Sequence, residues 1–353
     1  MLIDAPALPA MPVVPAMPAM PVLGVSSPQA TPPTGDSRST PPAEDSRPTA
    51  PAEDSRLTSL SPSRAGDFMT CPLLYRFRVI DRLPERPSPA ATRGTVVHAV
   101  LERLFDLPAG QRTLERAAAM VEPQWERLLA DEPRLAGLFP EDADGSELTT
   151  WLGAAQGLLE RYFALEDPNC LEPAERELLV SAEIEPGLTL RGYVDRLDVA
   201  PGGEMRVVDY KTGRAPSPEF EARALFQMRF YALVLWKIHG RVPRLLQLLY
   251  LGSGEVLRYT PDEADLRSTE RKVQALWAAI RRATDTGDWR ARPSKLCDWC
   301  DHQALCPAFG GTPPPLPEAI DQQRGRSGGS SAVTTNVHRV GDTPIRVRDG
   351  GSG

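Results

Sequence analysis

Proline placement decides which part of this chain can fold. Thirteen of the 37 prolines precede Leu57, in runs such as Pro12-Val13-Val14-Pro15-Ala16-Met17-Pro18. Proline has no amide hydrogen and a fixed φ, so such runs cannot enter a helix interior or a central strand. A nine-residue near-repeat follows, in which Asp36-Ser37-Arg38, Asp45-Ser46-Arg47 and Asp54-Ser55-Arg56 recur. It lacks the large apolar side chains whose burial offsets the entropy of ordering. Residues 1–56 are therefore expected to be a disordered, polyproline-like lead-in. Residues 311–353 are expected to be a disordered tail, with Pro313-Pro314-Pro315 near its start and Gly350-Gly351-Ser352-Gly353 at its end. One folded domain of roughly 250 residues remains, 57–310, long enough for a substantial core.

The formal charge is -7, and the lead-in carries -3 and the tail +1 of it, leaving -5 on residues 57–310. That excludes a protein coating nucleic acid by bulk positive charge, though not a local basic groove. Mean hydropathy is -0.30 and no run of roughly 18 apolar residues occurs, so no membrane partner is expected. Met1-Leu2-Ile3-Asp4 lacks a basic region leading into an apolar block, which suggests a cytoplasmic location. Of 40 basic residues only Lys211, Lys237, Lys272 and Lys295 are lysine, so a lysine at a chemically plausible place merits inspection.

Periodicity changes along the domain. Pro62 to Thr70 reads as a helix capped by Ser61. Leu148, Leu152, Ala155, Leu159 and Tyr162 repeat at helical spacing. From Leu178 the pattern turns to strands, 178–184, 189–199 and 205–211, the last two joined at Pro201-Gly202-Gly203. A helix from about Pro218 to His239, strands at 245–251 and 255–259, and a helix from about Pro261 to Thr284 complete a mixed α/β or α+β domain. Residues from about 106 to 175 read as a helical insertion, expected to cover the active site and shape strand access.

The chemistry sits in the hairpin Gly192-Tyr193-Val194-Asp195-Arg196-Leu197-Asp198 … Val207-Val208-Asp209-Tyr210-Lys211. Asp209 and Lys211 share a strand face. A bare Asp-x-Lys is most often a solvated strand end with an incidental ion pair. Here, however, the lysine is one of four, the strand is apolar before the acid, and Asp195 can face Asp209 across the ladder. Two carboxylates on one face suit a hard divalent cation, and a lysine beside them can stabilise charge on a phosphoryl group. The demand on geometry is specific. Asp195 meets Asp209 only if an odd-numbered loop, of three or five residues, or a bulge joins the strands around Pro201–Glu204.

These residues resemble the PD-(D/E)XK nuclease core, and within it the RecB-family exonucleases and the iron–sulfur nucleases of CRISPR adaptation. The family's Gly-Thr-x-x-His reads Gly94-Thr95-Val96-Val97-His98, with Glu102 one turn later. Its Gly-x-x-Asp-Arg-x-Asp reads Gly192 to Asp198, and its Gln-x-x-x-Tyr reads Gln227 and Tyr231. The resemblance implies a central mixed sheet flanked by helices, with cysteine-stapled ends. It also implies Mg²⁺ or Mn²⁺ held by His98, Asp195, Asp209 and the Tyr210 carbonyl. Lys211 would be the catalytic lysine, positioned with substrate by Gln227 and Tyr231, and the substrate would be single-stranded DNA or duplex ends, in repair or recombination. Taken singly, His98 would be an ordinary helix histidine and the Gln227–Tyr231 pair an amphipathic face. Glu183 falls where the family often has a glutamate, but an exposed strand residue explains it nearly as well.

Five cysteines without an export signal do not read as disulfides. Cys297-x2-Cys300-x5-Cys306 with the distant Cys71 could hold zinc or an iron–sulfur cluster, and spacing leaves both open, with His302 as a further zinc candidate. The resemblance implies a [4Fe–4S] cluster on Cys71, Cys297, Cys300 and Cys306, pinning the two ends of the domain together. Cys170 has no evident partner. A non-catalytic nucleic-acid-binding module and a zinc-stapled scaffold are the competing classes. An intact acid–acid–lysine set argues against a decayed site. No P-loop is present, so any unwinding would come from a separate helicase.

Overall fold

The computed structural model describes residues 58–140, 144–217 and 221–317. The expected lead-in 1–56, most of the expected tail and the expected helix start at Pro218 lie outside the described residues. The described part opens with a short strand β1 (Ser59–Leu60) and helix α1 (Pro62–Thr70). The Ser61 hydroxyl accepts the Arg64 amide at 3.3 Å and Pro62 takes the first helical position, which needs no amide donor. A helical turn α2 (Pro72–Tyr75) runs into a π-helical turn, Arg76–Ile80. Helices α3 (Pro89–Leu104), α4 (Leu114–Ala119), α5 (Val121–Asp131) and α6 (Ser146–Leu165) precede three consecutive strands, β2 (Glu175–Glu185), β3 (Leu188–Val199) and β4 (Met205–Lys211). Helix α7 (Glu221–His239), the strands β5 (Leu245–Tyr250) and β6 (Glu255–Tyr259), and helix α8 (Glu263–Thr286) follow. Three 3-10 turns, between Lys295 and Phe309, end the domain.

All six strands form one mixed sheet of order β1-β3-β4-β5-β6, with β2 paired to β3. The short strand β1 had no signature in sequence. Since β2 runs along one edge of β3, β1 and β4 share the other, at 189–190 and at 196–199. Residues 191–195 are left without a strand partner on that edge, and the candidate site lies in this opening. Val199 pairs with Met205, so the β3–β4 loop has five residues centred on Gly202. It is closed by bonds from the Ala200 amide to the Glu204 carbonyl (2.9 Å) and from the Gly203 amide to the Ala200 carbonyl (2.8 Å). The loop is odd-numbered as expected, but the ladder ends at Arg196–Val208, so the two carboxylates are not paired across it: Asp209 turns to Gln227 on α7 and Asp195 toward His98 on α3.

Strand β4 is buried on both faces, which explains its uninterrupted Val207-Val208. Val207, with Leu197, Leu246 and Leu248, joins a core built with α1, α7 and α8. Val208 and Tyr210, with Leu249 and Leu251, join a second core built with α3, α5 and α6. The residues read as an insertion over the active site therefore form mainly the helical layer on one sheet face. The aromatic cluster Trp125, Phe139 and Trp151 holds that layer together. Its effect on the site is indirect, through the seating of α3. Among the described residues, no helix is long and apolar enough to cross a membrane.

Candidate active site

Continuing the β3–β4 register beyond Arg196–Val208 would set Asp195 opposite Asp209, but the ladder stops there. Asp195 Oδ2 accepts the Tyr210 amide at 2.7 Å, so a carboxylate takes the place of a strand carbonyl. On the other edge, Arg176–Arg196 and Leu178–Val194 pair, which puts Glu177 opposite Asp195. Three carboxylates thus follow one another across β2, β3 and β4. Glu177 has φ of 45°, a left-handed conformation that a non-glycine residue keeps only when its surroundings enforce it. The facing of β3 also changes here: Val194 turns to the α7 core before Asp195, and Leu197 does so after it. Such irregularities re-aim side chains beside active sites.

Here the irregularity aims Glu177 and Asp195 at His98 on α3, and donor atoms of these three lie within 4.8 Å of one another. His98 Nε2 donates to the Tyr210 carbonyl at 2.9 Å, and its Nδ1 is 3.6 Å from Asp195 Oδ2. Gly94 lets α3 approach, since a Cβ there would lie 3.2 Å from Thr212 Oγ1. Burial lowers the His98 pKa and keeps the ring neutral, the form that ligates metals.

On the α7 side, Lys211 Nζ lies 2.6 Å from Asp209 Oδ2 and donates to Gln227 Oε1 at 3.0 Å. Gln227 Nε2 donates to Asp209 Oδ1 at 2.9 Å and to the Tyr231 hydroxyl at 3.2 Å. One amide orientation thus serves both neighbours, the oxygen meeting the ammonium and the nitrogen the acid. Asp209 is 2% exposed, and its Oδ2 has no aligned hydrogen-bond donor. Gly192 is needed for close approach, because a Cβ there would stand 2.7 Å from Tyr231 Cε1. Burial first, and the Asp209 charge second, push the Asp195 carboxyl well above its ordinary range. Burial, Glu102 and Asp209 raise Glu177 as well.

Residues 59–307 match the PD-(D/E)XK nuclease superfamily, which is most of the described chain. The chain belongs to the PD-(D/E)XK nuclease superfamily. Two relatives are both named Gene 69 protein. That of Mycobacterium phage D29 is 27% identical over 279 residues, covering 70% of this chain and 96% of the relative. That of Mycobacterium phage L5 is 24% identical over 293 residues, with the same coverage. A crystal structure from Eubacterium rectale, described only as a candidate exonuclease, shares 13% identity and covers 74% of this chain and 94% of its own, at a TM-score of 0.47.

Within this nuclease fold, His98, Asp195, Asp209, Tyr210, Lys211, Gln227 and Tyr231 meet at one place. Glu183 does not: it is exposed and pairs with Thr189 at the far end of β2. The glutamate at the site is Glu177, which the sequence reading passed over. The Pro186-Gly187 turn alone would not have found it: a hairpin folded there sets Glu177 across from Arg196, and the register shift between Glu183 and Glu185 moves it across from Asp195. Glu102 stays at the margin, felt by Glu177 through its charge. The Arg196 of the Asp-Arg-x-Asp motif is fully buried. It binds Glu166 with two nitrogens (2.8 and 3.1 Å), the Tyr210 hydroxyl (2.8 Å) and Asp198 (3.2 Å). It holds the side chain of the residue whose backbone organises Asp195 and His98.

Cys71, Cys297, Cys300 and Cys306 line one cavity of about 50 Å³ with Leu73 and Phe77. Burial raises the Cys300 thiol pKa, and so do Cys297, Cys71 and Cys306 beside it. No three of these sulfurs lie within 4.8 Å of one another. His302 does not join them, being held by Glu85 at 3.1 Å. Cys170 is exposed and donates to Asp167.

Proposed function

We propose that this chain is a divalent-metal-dependent deoxyribonuclease, acting as an exonuclease on single strands or duplex ends. The observation that carries the reading is the meeting of Lys211 and Asp209 with the His98–Glu177–Asp195 cluster, from the four elements α3, β2, β3 and β4, in the gap of β3. The donors suit Mg²⁺ or Mn²⁺: carboxylate and carbonyl oxygens plus one neutral imidazole. The crowding of acids that raises the Asp195 and Glu177 pKa values favours a cation.

His98, Asp195, Asp209 and the Tyr210 carbonyl would hold it, with Glu177 beside them. When bound, the cation acidifies water and neutralises phosphate charge. The chain's own residues do the rest. Lys211, held against Asp209 and aimed by Gln227, faces the scissile phosphate and stabilises the charge gathering there in the transition state. Tyr231 braces Gln227 from below. Asp195, bonded to the Tyr210 amide, holds β3 and β4 together at the point where they part.

The test is cleavage of end-labelled and circular DNA, single-stranded and duplex, with Mg²⁺ or Mn²⁺ and with chelator. Wild type should degrade ends and spare circles, and Lys211→Ala and Asp209→Ala should lose cleavage while still binding DNA. Failure of wild type to cleave with either metal overturns the reading.

The same proposal includes a [4Fe–4S] cluster on Cys71, Cys297, Cys300 and Cys306. What supports this is that all four thiols line one cavity, Cys71 coming from the start of the domain and the other three from its end. Zinc, rather than iron and sulfide, in anaerobically purified protein would refute it. Participation in DNA repair or recombination, beside a separate helicase and in the cytoplasm, completes the proposal.

A further inference from the structure

Exposed large apolar side chains form one adjoining pair on the sheet. Tyr193 on β3 and Leu179 on β2 are direct cross-strand partners, 53% and 48% exposed. Their position gives them meaning. Gly192 and Val194 turn toward α7, so Tyr193 stands on the opposite face. That face is the one on which Asp195, two residues on, meets His98. Leu179 stands in the same relation to Glu177 on β2. Strand residues two apart are about 6.8 Å apart, so the pair adjoins both carboxylates. Arg191, the next residue of β3 on this face, lies opposite the uncharged Ser181.

We infer that Tyr193 and Leu179 form a platform on which a nucleobase of single-stranded DNA stacks, beside the phosphodiester held at His98, Glu177 and Asp195, with Arg191 meeting a neighbouring phosphate. The inference rests on the nuclease reading above and adds the strand form of the substrate. Bases in a duplex already stack on one another and offer no free face to a ring. Those of a single strand do, and stacking on an aromatic side chain tolerates any sequence. The net charge of -7 gives this chain little bulk attraction for phosphates, which leaves stacking a larger share of binding than in a basic protein.

Wild type, Tyr193→Ala and Tyr193→Phe are compared on labelled single-stranded and duplex DNA, and on bis(p-nitrophenyl) phosphate, which has no base. For single strands Tyr193→Ala should raise KM about ten- to hundredfold with little change in kcat, and Tyr193→Phe should restore it. Hydrolysis of the small ester should not change. A second readout uses a single strand bearing a fluorescent aminopurine. Its quenching on Lys211→Ala protein should vanish when Tyr193→Ala is added. Equal KM values, an unchanged quench, or parallel loss on the small ester overturn the platform. If wild type cleaves no DNA yet the quench depends on Tyr193, the platform stands and the nuclease reading falls.

Discussion

At the residue scale the candidate site is an arrangement of buried acids whose charges oppose one another, the reason the proposed function gives it a cation. Asp195 and Glu177 hold their protons more tightly in the fold than in the open chain, because burial and neighbouring acids disfavour their charge. Their raised pKa values favour the fold below the ordinary carboxylate range, and that stability is lost as pH rises through the raised values. In chelator, therefore, the melting temperature of wild type should fall between weakly acidic and neutral pH, and Mn²⁺ should restore it. Asp195→Asn should flatten that decline, melt no lower than wild type in chelator at neutral pH, and gain little from Mn²⁺; differential scanning fluorimetry reads all three. Arg196 has a different task. It is a fully buried cation compensated by Glu166, and Arg196→Met should leave that carboxylate unmatched at a cost of about 3–5 kcal/mol in urea unfolding. Asp195, Asp209 and Lys211 were legible from alternation and the scarcity of lysine. Glu177 was not, because its role depends on a left-handed backbone that no propensity announces.

At the element scale, loop length determines chemistry. The five-residue loop between Val199 and Met205 sets a register that runs toward Asp195 and Asp209 before the ladder ends at Arg196–Val208, whereas pairing Ala200 with Met205 across a four-residue loop would run toward Asp195 and Tyr210. Inserting one residue between Val208 and Asp209, which turns Asp209 and Lys211 to the opposite strand face, should abolish DNA cleavage and the metal-dependent rise in melting temperature, even where circular dichroism shows the sheet retained. Helix α7 is apolar on nearly all sides because it lies between the sheet and α8, so Gln227 and Tyr231 stand out within it as polar groups aimed at the strand ends. Sequence located this helix from Gln-x-x-x-Tyr and its apolar content. It missed β1, whose two residues carry no periodicity and pair in parallel with a strand about 130 positions away.

At the scale of the whole molecule, the two ends of the domain meet at the four thiols, with Arg292 bonding to Cys71 through its amide at 3.3 Å. On the proposed function, acidity overall and a site crowded with acids would leave DNA affinity to bound cations and a few arginines. Raising salt from low to physiological levels in constant Mg²⁺ should weaken single-strand binding several-fold, less steeply than for a basic protein with many phosphate contacts. Fluorescence anisotropy measures this. A chain trimmed to residues 57–317 should keep the melting temperature and cleavage rate of the full chain, since the proline-rich lead-in has too few large apolar groups to contribute to a core.

The sequence by itself determined the fold class, the hairpin register and most of the acid–acid–lysine set. These follow from local rules: side-chain alternation, turn length and apolar periodicity act between neighbours in the chain. Only the tertiary structure decided that Glu177 rather than Glu183 enters the site, that the helices of 106–175 back the sheet, and that β3 opens between β1 and β4. Each of these depends on contacts between distant segments, where burial and charge act across space rather than along the chain.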